Sequence, residues 1–199
     1  VLHRALLSLG MVYLHAAAVS VAGRTYLFIG EKGAGKSTLS VGLARLGGTV
    51  LADDHVLLER RAPRYLVSGC EVLSRITAET EAYVFDTPLD LPAMDFAGTL
   101  KKEIVLTDHF AATPHVAEPV AAVYFPRVGQ HLTITPWSAQ RTAMELLDRT
   151  RRSFRPQSAA EVGLLLDFWM GFTSVSPGFT LELEPDLRAI ERLPGLLHA

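Results

Sequence analysis

The sequence predicts a mixed α/β domain in which a β-hairpin leads into a glycine-rich loop and helices pack around a mixed sheet. Two segments rich in β-forming residues, 13–21 and 24–29, are separated only by Ala22-Gly23, a spacing typical of an antiparallel hairpin. The second segment runs directly into GEKGAGKS at 30–37, and residues 38–46 then follow with helical spacing. Later apolar segments alternate between the periods of strands and helices.

Length and composition limit the class of protein. The chain has 199 residues, of which 49% are hydrophobic and 20% charged, so we expect one folded domain, 1–199. A net charge of −2 argues against general binding to nucleic acid. Cys70 is the single cysteine, which excludes an intrachain disulfide and a cysteine-rich zinc site. No apolar run reaches the roughly 18 residues needed to span a bilayer, so no membrane association is expected.

The first residues carry no targeting signal. The chain begins at Val1 without a methionine and without a signal-peptide pattern. We therefore expect a cytoplasmic protein, and we leave open a native N-terminal region that precedes residue 1.

The remaining elements follow from periodicity and from turn residues. A short helix is expected in 1–10, and strands are expected at Thr49–Ala52, 56–59 and 65–67. Residues 86–118 are rich in Pro, Asp, Thr and His and predict an irregular surface region, with 100–106 as its best strand. Strands at 119–125 and 132–135 are expected to pair with each other. Helices near Ala139–Ser153 and 159–172, a strand at 179–183 and a last short helix at 186–193 complete the prediction.

The glycine-rich loop matches the pattern G-x-x-x-x-G-K-[ST] of a phosphate-binding P-loop. Its residues are Gly30, Glu31, Lys32, Gly33, Ala34, Gly35, Lys36 and Ser37, and Thr38 follows. Glycines let backbone N–H groups turn towards one anion, and the N-terminus of the next helix adds positive potential. Lys36 can reach β- and γ-phosphates, and the Ser37 hydroxyl can ligate Mg²⁺. The order strand, loop, helix is the context that this motif requires, and a chance match in a glycine-rich turn is the alternative.

Two adjacent acids follow the next strand. Asp53 and Asp54 end the predicted strand Thr49–Ala52, whose carboxyl end is expected beside the phosphate loop. One carboxylate can hold Mg²⁺, and successive residues point opposite ways, so two roles are expected. A solvated Asp-Asp turn is the alternative.

His15 lies between apolar residues in the first hairpin strand, in the run LHAA. From the residues alone, such a histidine is more often a satisfied core residue than a functional one.

The run LHAAAVSVAGRTYLFIGEKGAGKSTLSVGLARLGGTVLADDHVLL resembles the catalytic core of HPr kinase/phosphorylase and its relatives, which include kinases encoded beside lasso-peptide genes. Three features carry the likeness: a histidine-bearing strand that forms a hairpin into the P-loop strand, the P-loop itself, and an Asp-Asp pair soon after the P-loop helix. The resemblance implies a P-loop kinase core of the phosphoenolpyruvate-carboxykinase-like type.

The resemblance also implies roles for single residues. Asp53 matches the general base that takes the proton from a substrate serine, Asp54 matches the metal-side acid, and His15 matches a histidine near the transferred phosphate. Lys36 and Ser37 match the phosphate lysine and the Mg²⁺ hydroxyl. The implied cofactors are ATP and Mg²⁺, with pyrophosphate as an alternative donor.

Other parts of the sequence depart from that family. Glu71 is a weak candidate for a second metal ligand, with a surface position as the alternative, and Arg127 or Arg141 would have to supply the family's late arginine. Lys101-Lys102 are expected to be solvated, with contact to phosphate or to an acidic partner as the alternative. The arginines at 149, 151, 152 and 155 are expected on the polar face and at the end of a helix, with a peptide-docking or oligomer surface as the alternative. These gaps favour a looser relative over a kinase of HPr itself.

The leading hypothesis is an ATP-dependent kinase that phosphorylates a serine of a small protein or peptide, with a reverse reaction and a homo-oligomer left open. The alternatives are a nucleotide-binding regulatory module without catalysis and a kinase of a small metabolite.

Overall fold

A computed structural model describes residues 2–71, 73–156 and 158–197. The helices are α1 (Leu2–Ser8), α2 (Lys36–Arg45), α3 (Ala78–Val84), α4 (Ala139–Ser153), α5 (Ala159–Thr173) and α6 (Leu193–Leu196). The strands are β1 (Met11–His15), β2 (Ala17–Val21), β3 (Arg24–Phe28), β4 (Thr49–Ala52), β5 (His55–Arg61), β6 (Arg64–Gly69), β7 (Leu73–Ile76), β8 (Ala93–Asp95), β9 (Leu100–Val105), β10 (Glu118–Val128), β11 (Thr133–Pro136) and β12 (Gly178–Leu183). Short 3₁₀ helices occupy Leu106–Asp108 and Leu187–Arg192.

The strands form a large mixed sheet and a small antiparallel one. The large sheet has the order β1-β5-β6-β10-β3-β2-β4, and β12 joins it by pairing with both β10 and β11. The long strand β10 is parallel to β3 and to β12, whereas its first residues pair antiparallel with β6. The small sheet has the order β7-β9-β8. The predicted mixed α/β fold, with a hairpin leading into the glycine-rich loop, is confirmed.

The turn at Ala22-Gly23 closes the predicted hairpin of β2 and β3. Val21 pairs with Arg24, so the loop has two residues. Ala22 and Gly23 have φ angles of 50° and 76°, and positive φ at both central positions defines the turn that matches the twist of a two-residue hairpin. Glycine adopts this conformation without a steric cost.

The prediction of one strand over 13–21 is wrong. The chain is interrupted at Ala16, whose backbone N–H donates to the carbonyl oxygen of Asp54 at 3.0 Å. The part before the interruption, β1, pairs with β5, and the part after it, β2, pairs with β3 and β4. No glycine or proline marks this interruption in the sequence, because it is set by the two different partner strands.

The direction of β4 places the acidic pair. Since β2 is antiparallel to both β3 and β4, β3 and β4 run in the same direction and end at the same edge of the sheet. The glycine-rich loop that follows β3 and the acids that follow β4 therefore meet at that edge, as the sequence predicts.

Two further sequence expectations need correction. The segments 119–125 and 132–135 do form strands, but they do not pair with each other, because β12 lies between β10 and β11. Strand β7 and helix α3 were not expected, and the region 86–118 is only partly irregular, since it contains β8 and β9. The strand predicted at 100–106 is confirmed as β9.

The helices cover both faces of the large sheet. On one face, α4 and α5 bury Leu146, Phe168 and Trp169 against the sheet. On the other face, α2 buries Leu39 and Leu43 in a second apolar cluster with β2, β3 and β10. A third cluster joins α2 to α3 and to the small sheet. None of the helices in the described ranges is long and apolar enough to cross a membrane.

Candidate functional site

The loop between β3 and α2 has the backbone shape of an anion cradle. Gly33 and Gly35 adopt left-handed conformations, with φ angles of 85° and 87°. A Cβ on Gly30 would lie 2.7 Å from the Cβ of Ala34, so the tight closure of the loop requires glycine at this position. Gly35 is also the N-cap of α2, and it provides no side-chain hydrogen bond to the first turn. The N–H groups that begin α2 are therefore available to an anion.

Lys36 is held inside this loop. Its side chain is almost fully buried, and its Nζ donates to the carbonyl oxygens of Gly30 at 2.9 Å and Glu31 at 3.3 Å. Burial lowers the pKa of Lys36, while the negative charges of Asp53 and Asp54 act in the opposite direction. Two loop carbonyl oxygens thus accept hydrogen bonds from the Lys36 ammonium group in place of water. A negatively charged phosphate oxygen would accept a stronger hydrogen bond than a neutral carbonyl oxygen does.

Asp53 is a buried carboxylate surrounded by hydroxyl groups. It is 4% exposed, and its two oxygens accept from Ser40 Oγ and, at 2.6 Å, from Ser74 Oγ. Burial raises the pKa of Asp53, and hydrogen bonds from Ser40, Ser74 and Ser37 counteract this rise. The effect of Ser37 on this pKa places the acid near the P-loop hydroxyl.

Asp54 has the opposite environment. Its Oδ1 lies 2.8 Å from Nδ1 of His15, its Oδ2 lies 3.4 Å from Nδ1 of His55, and its side chain is 31% exposed. The hydrogen bond from His15 is the largest cause that lowers the pKa of Asp54, and the nearby His55 and Arg75 add to it. The two acids therefore differ in exposure and in the direction in which the pKa of each is shifted.

His15 lies at the wall of the site and not in the core. Its side chain is 43% exposed, and it lines the same cavity as the P-loop and the two acids. The alternative that His15 is a core histidine is therefore wrong.

These groups line one cavity of about 730 Å³, within the range of small-molecule sites. The sequence-predicted residues on its wall are His15, Lys32, Gly33, Gly35, Lys36, Ser37, Thr38, Asp53, Asp54 and Glu71. Three predicted loop residues, Gly30, Glu31 and Ala34, are not on this wall. Glu31 instead accepts from Arg152 Nη1 at 2.6 Å, so α4 holds the outer side of the loop.

The small sheet supplies the opposite wall, which sequence reasoning missed. Arg75, Phe96 and Lys101 line the cavity. The Arg75 guanidinium lies 4.7 Å from the centre of the Phe96 ring, and Lys32 Nζ donates to the Phe96 carbonyl oxygen at 3.0 Å. The hairpin of β8 and β9 thus touches the P-loop. No local signal marks these residues, because the long-range pairing of β7 with β9 brings them to the site.

Three expectations about charged residues are corrected by their contacts. Lys102 is not a solvated lysine, since it pairs with Glu81 at 2.8 Å. Arg127 pairs with Glu182, and Arg141 lies 3.9 Å from the ring centre of Trp137. Neither arginine lines the cavity, so neither is in place to supply a late arginine to this site.

The residues present fit a magnesium nucleotide. Uncapped helix N–H groups, a buried lysine and left-handed glycines fit a polyphosphate. The Ser37 hydroxyl and two carboxylates are oxygen donors of the kind that Mg²⁺ prefers. These donors are therefore of the types that a polyphosphate and its Mg²⁺ ion would use.

Comparison with known proteins gives a likeness in structure and none in sequence. No family model and no curated protein matches the sequence. Among solved structures, the Hpr(Ser) kinase/phosphatase from Coxiella burnetii is similar to this chain with a TM-score of 0.49 and 13% identity, over 94% of this chain and 93% of that chain.

Proposed function

We propose that the protein is an ATP-dependent kinase that transfers the γ-phosphoryl group to a serine hydroxyl of a small protein or peptide. The observation that carries this proposal is the meeting, in one cavity, of a P-loop lysine and serine with a partly exposed carboxylate that accepts a hydrogen bond from a histidine. A site that only binds a nucleotide needs no more than the P-loop. A site that transfers a phosphoryl group also needs a side chain that accepts the proton of the acceptor hydroxyl.

The P-loop side of the cavity would bind the donor. Lys36 would exchange its loop carbonyls for β- and γ-phosphate oxygens and would offset the charge that develops during transfer. Mg²⁺ would neutralise charge on the β- and γ-phosphates. Ser37 would ligate this ion through its hydroxyl, and Asp53, which lines the same cavity, would stabilise the bound ion by its negative charge.

The assignment of the two acids in this proposal is the reverse of the one that family resemblance implies. A general base must lie within hydrogen-bond reach of the acceptor hydroxyl. Asp53 is 4% exposed and is occupied by serine hydroxyls, whereas Asp54 is 31% exposed on its side chain. Burial therefore favours Asp54 as the proton acceptor and Asp53 as the metal-side acid.

His15 would be a positioning residue for this base. Its hydrogen bond holds the Asp54 carboxylate and favours its ionised form. As the acceptor oxygen bonds to the γ-phosphorus and the bond to the β-phosphate bridging oxygen breaks, Asp54 would take the hydroxyl proton. Most of the rate would come from positioning and electrostatics, because phosphoryl transfer needs little covalent participation from the protein.

The acceptor class, a serine of a small protein or peptide, rests on the sequence resemblance to HPr kinase/phosphorylase relatives. A regulatory module that binds nucleotide without catalysis is the competing function, and it would leave Asp54 without a chemical role.

Phosphate transfer from [γ-³²P]ATP tests this proposal. The full chain, ATP and Mg²⁺ are incubated with a pool of synthetic serine-containing peptides and with the matched pool in which alanine replaces serine. Transfer to the serine pool that disappears in Asp54→Asn supports the kinase. Tight Mg·ATP binding with neither peptide transfer nor ATP hydrolysis would support the regulatory module instead.

A further inference from the structure

Two histidines face each other where the first strand of the chain ends. His15 ends β1, His55 begins β5, and the two are direct partners in the antiparallel pairing of these strands. Directly opposed residues share one face of the sheet, with Cβ atoms about 4.5–5.5 Å apart. The imidazole ring centres lie 5.4 Å apart, and Asp54 immediately precedes His55 in the chain.

These three side chains bring ligand atoms together. One atom each from His15, Asp54 and His55 lies within 4.8 Å of the other two. The Asp54 carboxylate is the centre of the group, because one of its oxygens faces each histidine, at 2.8 Å and 3.4 Å. Tetrahedral sites with metal–nitrogen bonds of about 2.0–2.1 Å need ligand atoms roughly 3.4 Å apart, a separation that rotation of these partly exposed side chains can reach.

The His55 ring has an unused nitrogen within this group. Its Nδ1 is buried and has no hydrogen-bond partner within the described part of the chain, although Asp54 is close. The ring is held in this orientation by stacking on Tyr13, at 5.0 Å between centres and 16° between planes. A buried polar atom without a partner is costly, and a metal ion between His55 and Asp54 would satisfy it.

We propose that His15, Asp54 and His55 form a site for a divalent transition-metal ion of the zinc class. Two imidazoles and one carboxylate are the ligand types of zinc and its neighbours, whereas Mg²⁺ and Ca²⁺ prefer oxygen ligands throughout. A metal ion bound at Nδ1 of His15 would take the place of the hydrogen that this atom donates to Asp54, and the neutral ring would then carry its hydrogen on Nε2. The remaining coordination position would face the cavity, which His15 and Asp54 both line.

The metal would also occupy the carboxylate that we propose as proton acceptor, so zinc would inhibit the transfer reaction. That consequence rests on the proposed function, whereas the metal site itself does not. Zinc binding is therefore measured without nucleotide, and Lys36→Ala, which tests the kinase, should leave it unchanged.

Calorimetric titration with Zn²⁺, and with Co²⁺ as a spectroscopic probe, tests the site. The full chain carrying Cys70→Ser is used, because the exposed thiol of Cys70 is a competing ligand. One ion per chain should bind, and Co²⁺ should give the intense visible bands of a low-coordinate complex. Loss of an outer-shell partner alone typically weakens a metal site by roughly 10–100-fold, so His55→Ala, which removes a direct ligand, should weaken binding by at least that factor. His115→Ala, at an exposed histidine outside the group, should not weaken it.

Two results would overturn the proposal. One is the absence of one-to-one binding in the Cys70→Ser protein. The other is equal affinity in the His55→Ala and His115→Ala variants. Thermal unfolding of each variant shows that it is folded, and His55→Gln, which keeps a polar side chain, provides a second variant should His55→Ala fail to fold.

Discussion

Asp53 and Asp54 are neighbours in sequence, but they differ in exposure and in the direction in which the pKa of each is shifted. Asp53 faces inward to three serine hydroxyls, and burial raises its pKa. Asp54 faces the cavity, and the hydrogen bond from His15 lowers its pKa. The position of two acids beside the P-loop could be predicted, because they follow the strand that comes after the P-loop helix. Which acid is accessible could not be predicted, because that depends on Ser40 and Ser74 from other elements.

Replacing each acid by asparagine should separate the two roles. Asp54→Asn should keep Mg·ATP affinity close to wild type and lower phosphate transfer by roughly 10²–10⁴-fold, the usual share of general acid–base catalysis. Asp53→Asn should weaken Mg²⁺-dependent ATP binding itself, because it removes the metal-side charge. Calorimetry and a transfer assay on the same preparations measure both quantities. The opposite result, in which Asp53→Asn and not Asp54→Asn loses phosphate transfer while Mg·ATP still binds, would contradict this assignment. Asp53 would then be the general base, as the family resemblance implies.

The raised pKa of Asp53 also predicts a pH-dependent stability. An unfolded aspartate titrates near 3.9, and the folded protein keeps the Asp53 proton to higher pH. The contribution of this group to stability therefore falls as pH rises from about 4 towards the folded pKa. In Asp53→Asn this loss is absent, so the melting temperature of the variant minus that of wild type should increase between pH 4 and pH 7. Calorimetric scans across this range measure the difference, and a difference that declines with pH would contradict the assigned environment.

At the scale of elements, a partly buried ion pair attaches the small sheet to α3. Lys102 on β9 donates to Glu81 at 2.8 Å and to the Leu89 carbonyl oxygen at 2.6 Å, and the Leu89 N–H donates to Glu81 at 2.6 Å. The Glu81 side chain is 8% exposed. This network holds β9 in place, and β9 also carries Lys101, which lines the cavity.

Glu81→Gln should therefore destabilise the protein by about 1–3 kcal/mol. This is the cost of losing hydrogen bonds to a charged group and of leaving the partly buried ammonium group of Lys102 without its carboxylate partner. Because the pKa of Glu81 is lowered in the folded protein, its ionised carboxylate stabilises the fold at pH values above the unfolded pKa of about 4.3. This stabilisation is lost as the pH falls through the folded pKa. The destabilisation caused by Glu81→Gln should thus become smaller as the pH is lowered.

Glu79→Gln, at an exposed position of the same helix, is the matched control, and its stability should stay within about 0.5 kcal/mol of wild type. Urea unfolding at neutral and acidic pH measures both variants, and equal effects would refute the role of the pair.

Sequence signals were most reliable for elements with local determinants. The P-loop and its helix, the Ala22-Gly23 hairpin, and helices α4 and α5 with their serine caps at Ser138 and Ser158 all depend on residues close in the chain. The split at Ala16 and the insertion of β12 between β10 and β11 depend on pairing between distant strands, which no local pattern encodes. For the same reason the P-loop side of the site was predicted, whereas the wall with Arg75, Phe96 and Lys101 was not.

At the scale of the whole molecule, one sheet edge organises the site. Strands β3 and β4 end at that edge and deliver the P-loop and the two acids, while β1 and β5 deliver His15 and His55 beside them. The small sheet closes the other side, and α4 supports the loop from outside through Arg152 and Glu31. The split of the first predicted strand is what allows His15 to reach Asp54, because β1 belongs with β5 and not with the hairpin.

The affinity for Mg·ATP in Lys36→Ala tests the central claim, that this edge binds a nucleotide by its phosphates. Isothermal titration should give one Mg·ATP per wild-type chain and no measurable binding to Lys36→Ala at the same concentrations, because the variant lacks the ammonium group that meets the β- and γ-phosphates. Arg64→Ala, which removes an exposed positive charge on β6, should bind as wild type does, and thermal unfolding should show that all three proteins are folded. Equal Mg·ATP affinity in wild type and Lys36→Ala would contradict the account.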